Sequence, residues 1–143
     1  MNIREMTDKD IPAVLSVDRK SFKKAWSEKM LCEELEKDYS AYYVAEDDDG
    51  LVGYIGIWCI YETAELMRVA VLPEARGRGN GLNLVSKAMD VALAQGCERM
   101  MLEVRKSNFS AQSVYLKCGF KEINIRKGYY DGEDAIIMEA MIG

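Results

Sequence analysis

The sequence predicts a mixed α/β fold, a central sheet covered by helices. Two patterns carry that expectation. Short apolar runs of strand length recur between turn residues, and one longer stretch places Leu84, Val85, Ala88, Met89 and Ala92 on a single helical stripe. The size bounds it: 143 residues, 49% of them hydrophobic, suit one domain able to bury its own core.

Residues 2–6 read as a first strand. Thr7-Asp8-Lys9-Asp10 is a capping-box-like start for a helix carrying Ile11, Val14, Leu15 and Phe22. Ser27 is placed to cap a second helix, with Met30, Leu31, Glu34 and Leu35 in register. Residues 42–45 read as a strand, Asp47-Asp48-Asp49-Gly50 as a turn, and 51–60 as the returning strand. Another strand covers 64–72 and ends at Pro73. After the cluster Gly77, Gly79 and Gly81, a helix is expected over 82–95, with Gly96 just past its end. A strand over 100–104 follows, then a short helix capped by Asn108 and ended by Gly119. Residues 120–125 read as a strand, 127–133 as a loop and 135–141 as the last strand. No linker, repeat or low-complexity segment divides the chain, so 1–143 is expected to be one domain.

Composition narrows the chemistry. The longest apolar run, 51–60, has strand length and is too short to span a membrane. The charged first ten residues lack the apolar core of a signal peptide, and a cytoplasmic location is expected by default. There are four cysteines, none in a CxxC pair, and no histidine. Structural zinc is therefore not expected, and Ser-His or Cys-His nucleophile pairs are excluded. Acid and base work falls to carboxylates, tyrosine, lysine, cysteine or water. The net charge is −5. Residues 28–49 are strongly acidic, while Arg68, Arg76, Arg78, Arg99, Arg105 and Lys106 make the middle basic. That balance argues against general nucleic-acid binding and suits an anion site in the middle, with an acidic face toward a cationic substrate.

The segment Val69-Ala70-Val71-Leu72-Pro73-Glu74-Ala75-Arg76-Gly77-Arg78-Gly79-Asn80-Gly81 runs from a buried strand through a glycine-rich turn into a helix. Glycines allow close backbone approach, and free N–H groups at a helix start attract an anion. Arg76 and Arg78 would add charge-assisted contacts to a phosphate or pyrophosphate. A Walker A loop is absent, and Leu82 stands where a dinucleotide fingerprint needs its third glycine. Taken alone, the cluster is equally readable as a tight turn with helix-capping glycines.

Arg76-Gly77-Arg78-Gly79-Asn80-Gly81 matches R/Q-x-x-G-x-G/A, and through it the chain resembles the GNAT acetyltransferase superfamily. Val69-Ala70-Val71 resembles the strand that pairs with the pantetheine arm in that family. Leu102-Glu103-Val104-Arg105 with Asn108, then Tyr115 with Lys117-Cys118-Gly119-Phe120, resembles its "LEVR…N…Y…GF" segment. Phe22…Trp26-Ser27 and Gly128-Tyr129-Tyr130…Glu133-Asp134-Ala135-Ile136-Ile137-Met138 are similar to the RimI branch, whose family substrate is the N-terminal alanine of a small-subunit ribosomal protein. Ala25 replaces the usual proline before Trp26, Arg68 replaces a small or amide residue, and the 130–133 connection is short.

The resemblance implies a central, mostly antiparallel sheet flanked by about four helices, acetyl-CoA as donor with no metal, and a protein N-terminus as acceptor, with neither nucleic acid nor membrane as partner. A GNAT enzyme acting on lysine or a small amine is the nearest rival. An acyl-CoA-binding domain without turnover and a structural ribosome-associated domain are others. In the family pattern Val69, Ala70, Val71, Arg76, Gly77, Arg78, Gly79, Asn80, Gly81 and Asn108 hold the cofactor. Glu103 serves as base through water, Tyr115 as acid at the sulfur, and Trp26, Tyr129 and Tyr130 line the acceptor cleft. By residue pattern alone, Glu103 is equally a surface position on an alternating strand, Tyr115 a core tyrosine and Asn108 a helix cap. Glu133 and Asp134 are open between substrate attraction and ordinary hairpin-end charge. Cys118 sits on a packing stripe, so direct amine attack on the thioester is expected over a cysteinyl intermediate.

Overall fold

The computed structural model describes residues 2–143. In chain order its elements are β1 (Asn2–Glu5), α1 (Ile11–Ser21), α2 (Glu28–Glu36), β2 (Ser40–Asp47), β3 (Gly50–Ile60), β4 (Thr63–Val71), α3 (Asn80–Ala94), β5 (Arg99–Arg105), α4 (Phe109–Lys117), β6 (Lys121–Tyr130) and β7 (Glu133–Met141). The strands form one seven-stranded sheet in the order β1-β2-β3-β4-β5-β7-β6. Every neighbouring pair is antiparallel except β4 and β5.

Helices cover both faces. On one, Leu84, Val85, Ala88 and Ala92 of α3 pack with Ile55, Ile57, Met100, Leu102, Val104 and Tyr115. On the other, Val14, Leu15 and Val17 of α1 and Leu31 of α2 pack on Tyr42, Val44, Tyr54 and Ala70. β3 is covered on both sides, with Val52 to Ile57 all buried. A strand sandwiched in this way has no polar face to present, and so it reads as a continuous apolar run. Its two internal glycines have a steric cause. A Cβ on Gly56 would stand 2.1 Å from the Tyr42 ring, and one on Gly53 would stand 2.8 Å from the Ala70 carbonyl.

The caps explain where the helices begin and end. Thr7 N–H donates to Asp10 Oδ2 at 2.8 Å, and Ser27 Oγ accepts from Met30 N–H at 3.2 Å. Gly96 adopts φ +92° beyond α3, and Cys97 N–H returns to the Ala92 carbonyl at 3.0 Å. Four expectations need correction. Phe22 lies outside α1 in extended backbone, and Met30 is exposed on α2. α3 starts at Asn80, which puts Gly81 in its first turn. Residues 127–130 are strand rather than loop. β6 runs on to Tyr130 and meets β7 through Asp131-Gly132, both with positive φ (47° and 96°), the geometry that a two-residue hairpin turn requires.

Candidate active site

The site begins with a defect in the sheet. β4 and β5 pair only at Thr63–Glu65 against Arg99–Met101, although β4 continues to Val71 and β5 to Arg105. Met67 is an extra residue: Ile57 opposes Leu66 and Gly56 opposes Arg68. Such a bulge bends its strand, and here β4 leaves β5 so that a wedge opens between them. Leu72 N–H donates to the Val52 carbonyl at 2.8 Å. By strand alternation, the Ala70 backbone then also faces β3, while the Val69 and Val71 backbone groups face the wedge. Arg76 Nε donates to the Val71 carbonyl at 3.0 Å. Of the three predicted residues, Ala70 therefore supplies a buried side chain and Val69 supplies backbone facing the wedge, while the Val71 carbonyl is already taken by Arg76.

At the end of β4 the glycine loop feeds α3. Gly77 and Gly79 have φ of +78° and +81°, which side chains rarely tolerate. The first helical bond runs from Asn83 N–H to the Gly79 carbonyl at 3.0 Å. That leaves the N–H groups of Asn80, Gly81 and Leu82 without helical partners, and no side chain caps them. A Cβ at Gly77, Gly79 or Gly81 would meet nothing nearer than 4.0 Å, so the approach to these groups is open. Asn80 turns inward, and its Nδ2 donates to the Ala75 carbonyl at 2.9 Å. Its side chain closes the loop, leaving only its backbone for a ligand. Arg76 and Arg78 are exposed. A pyrophosphate fits this cradle of free donors and unpaired cations.

β5 and the elements after it carry the titratable groups. Leu102 and Val104 of β5 point into the α3-side core, so Glu103 points to the α1–α2 side, half-buried, with Arg126 Nη1 3.1 Å from its Oε1. Tyr130 lies near it at the end of β6, under the Arg105 guanidinium at 4.4 Å, and its ring meets Tyr129 edge-on at 5.0 Å. Burial first, and then the Glu103 charge, push the Tyr130 hydroxyl above its ordinary range. Tyr115 is held by the end of its own helix. Gly119 takes φ +95°, Phe120 N–H returns to the Tyr115 carbonyl at 3.0 Å, and the two rings pack at 5.8 Å. The Gly-Phe pair thus sets the pose of the tyrosine. Among the described residues no protein group hydrogen-bonds its hydroxyl, and no sealed side-chain oxygen lacks a partner. The hydroxyl therefore opens onto accessible space. Burial, followed by Tyr130, pushes it up to about 12, so it keeps its proton at neutral pH.

Other predicted residues divide. Asn108 caps α4, with Oδ1 accepting from Ala111 N–H at 3.2 Å. Trp26 is half-buried, its ring 6.0 Å from Tyr42 and 6.4 Å from Tyr54. Glu133 accepts from Ser107 N–H at 2.7 Å and pairs with Arg105 at 3.4 Å, while Asp134 accepts from Gly128 N–H at 3.0 Å. Both carboxylates serve the hairpin end. Burial raises the Cys118 thiol, which disfavours a cysteine nucleophile. Arg68 is not part of the basic anion site, because it pairs with Asp18, a residue that the sequence reading missed. The available signal was an acid among Val14, Leu15 and Val17 on the buried stripe of α1. Among the described residues no three His, Cys, Asp or Glu gather into a metal site, and no helix is long and apolar enough to cross a membrane.

A splayed parallel pair with an open cradle of backbone donors at its strand end suits an elongated ligand that carries an anion at one end. The family described as acetyltransferase (GNAT) matches residues 11–120, and the chain belongs to it. It is an acetyltransferase. A relative from Bacillus subtilis (strain 168), provisionally named a [ribosomal protein bS18]-alanine N-acetyltransferase, is 39% identical over 139 residues, covering 95% of this chain and 92% of its own. The Escherichia coli (strain K12) [ribosomal protein bS18]-alanine N-acetyltransferase is 30% identical over 140 residues, covering 95% and 94%. The crystal structure of the ribosomal-protein-S18-alanine N-acetyltransferase from Escherichia coli superposes with a TM-score of 0.91 at 29% identity, covering 99% of this chain and 94% of that one.

Proposed function

We propose that this chain acts as one domain in the cytoplasm, moving the acetyl group of acetyl-CoA onto the α-amine of a protein beginning with alanine, a small-subunit ribosomal protein being the favoured acceptor. The free donors at the start of α3, beside a parallel strand pair that stops at Glu65 and Met101, carry the reading, and Glu103 on β5 and Tyr115 on α4 take the base and acid roles from the family pattern. The names of the full-length relatives support the acceptor.

The pyrophosphate rests on the N–H groups of Asn80, Gly81 and Leu82, flanked by Arg76 and Arg78. The pantetheine arm lies along the wedge-facing backbone of Val69 and the N–H of Val71, beside Asn108. The acceptor enters from the α1–α2 face, between Trp26 and the pair Tyr129 and Tyr130. An α-amine titrates at about 7.7–8.0, so Glu103, acting through water, needs only to take one proton. The neutral amine nitrogen then attacks the thioester carbon and gives up its second proton to water as the amide forms, and the C–S bond breaks with the sulfur leaving as a thiolate that accepts a hydrogen bond from the Tyr115 hydroxyl.

Two measurements test this. Arg76→Glu is expected to weaken acetyl-CoA binding by about 1.5–3 kcal/mol, the worth of a charged hydrogen bond, read by calorimetry with the melting temperature unchanged. Gly79→Val is a poorer probe, since φ +81° strains any branched residue. For the acceptor, a mass-shift assay compares an Ala-first peptide carrying a free N-terminus with the same peptide N-blocked and bearing one lysine. The free N-terminus is expected to be acetylated faster. Faster lysine acetylation would move the chain to another GNAT substrate class. Because Glu133 and Asp134 are engaged in the hairpin, no preference for a basic second residue is expected from them.

A further inference from the structure

Behind the acceptor face lies an ion pair that the transfer chemistry does not use. Asp18 is fully buried, and the Arg68 side chain is 18% exposed. Arg68 Nε and Nη2 reach the two Asp18 oxygens at 2.8 and 3.0 Å, and Nη2 also donates to the Lys24 carbonyl at 3.0 Å. The Tyr54 hydroxyl donates to the same carboxylate. Trp26 N–H donates to Asp18 Oδ2 at 2.6 Å. The guanidinium lies 4.0 Å from the Phe22 ring centre and 4.7 Å from that of Trp26.

The placement gives the pair its meaning. Arg68 is the first β4 residue past the Met67 bulge, where the strand has already left β5. It shares the sheet face of Ala70, the face toward which Glu103 also points across the wedge. The segment between α1 and α2, residues 22–27, has no regular structure of its own. Its backbone is held at Lys24 and Trp26, and both holds pass through Asp18 and Arg68. A buried ion pair is a poor source of stability, since desolvation consumes much of its attraction. What its fork geometry supplies is a fixed direction.

We propose that Arg68 is a positioning residue for the acceptor: paired with Asp18 and stacked between Phe22 and Trp26, it locks the α1–α2 segment against the wedge strand and so shapes the acceptor cleft. This rests on the reading of Trp26 as a cleft residue. None of these groups belongs to the glycine loop or to the wedge-facing backbone assigned to acetyl-CoA, so the pair is expected to act on acceptor binding.

The test uses Arg68→Met combined with Asp18→Asn. This variant leaves no uncompensated buried charge and keeps an acceptor for Trp26 N–H; Arg68→Lys is made beside it. With an Ala-first peptide, the double variant is expected to raise the peptide KM about tenfold, with kcat at saturating peptide within about threefold and the acetyl-CoA Kd unchanged. Arg68→Lys, which keeps charge without the planar fork, is expected to fall between. An unchanged peptide KM in the folded double variant overturns the proposal. So does a parallel loss of KM, kcat, acetyl-CoA affinity and melting temperature, which is the mark of a purely structural pair. The unmodified enzyme's own rate on the peptide reports on the acceptor reading, and the ratio of variant to unmodified enzyme reports on the pair, so the two fail separately.

Discussion

Glu103→Gln is expected to lower kcat by about 10²–10⁴-fold, the range in which a positioned general base contributes, while acetyl-CoA affinity and melting temperature stay close to those of the unmodified enzyme. The substitution keeps the shape and one hydrogen-bonding oxygen, and removes the charge. Among the described residues it breaks one ion pair, with Arg126 at 3.1 Å, where the side chains are 29% and 52% exposed. Pairs so open to solvent contribute at most about 1 kcal/mol. The deficit is expected to depend on pH. Below the amine's pKa of about 7.7–8.0 the acceptor arrives protonated and needs the carboxylate. Above it the acceptor arrives neutral, and the gap between variant and unmodified enzyme narrows. Arg126→Met is the control, since it breaks the same pair and keeps the carboxylate. A pH–rate profile for Glu103→Gln that superposes on that of the unmodified enzyme would return Glu103 to the surface of β5.

What could be read from the chain alone was whatever depends on neighbours in sequence. The α3 stripe, the Ser27 cap and the glycines beyond α3 and α4 are local signals, and the structure carries all of them. The glycine loop was legible for the same reason: free donors at a helix start need only a turn and a helix beside each other. A hairpin joining the last two strands is expected from the sequence, but its tight turn at Asp131-Gly132, just as local a signal, is not. A two-residue Asp-Gly between apolar runs is a strong turn signal, and reading 127–133 as a loop ignored it. The expected loop includes Tyr129 and Tyr130, whereas they stand on the end of a strand, with Tyr130 under the Arg105 guanidinium.

Other features lay beyond local reading. The wedge follows from one surplus residue, Met67, whose effect appears only when β4 is laid against β3. The Asp18–Arg68 pair joins residues 50 positions apart, and periodicity within either element does not predict it. Arg68 was noticed as unusual for its family without a partner to explain it. The structure supplies that partner and, with it, the reason that a charge is tolerated beside a strand whose neighbours Val69 and Ala70 are core.

Tyr115→Phe removes one oxygen from a ring that is 6% exposed. Since no protein partner holds that hydroxyl, its loss should cost less than the 0.5–1.5 kcal/mol typical of a buried hydrogen bond. For a domain of this size the melting temperature is then expected to move by no more than about 2–4 °C. Phe120 and the Gly119 turn still hold the ring, so acetyl-CoA affinity is expected to be unchanged. The effect falls on kcat, at about 10²–10³-fold, as for removal of one donor aimed at developing charge. The high pKa refines the role. A phenol near 12 is a weaker acid than a thiol, so outright proton transfer to the leaving thiolate runs uphill. Its first service is therefore a hydrogen bond to the sulfur as the C–S bond breaks. The pH dependence follows with the same sign: the folded-state value lies above the ordinary one, so the donor remains protonated and no alkaline loss of rate is expected from Tyr115 below about pH 10. Measuring kcat, melting temperature and the alkaline limb on one purified variant separates the readings. A normal kcat with a lowered melting temperature would make Tyr115 a core residue, and the leaving sulfur would then need another donor.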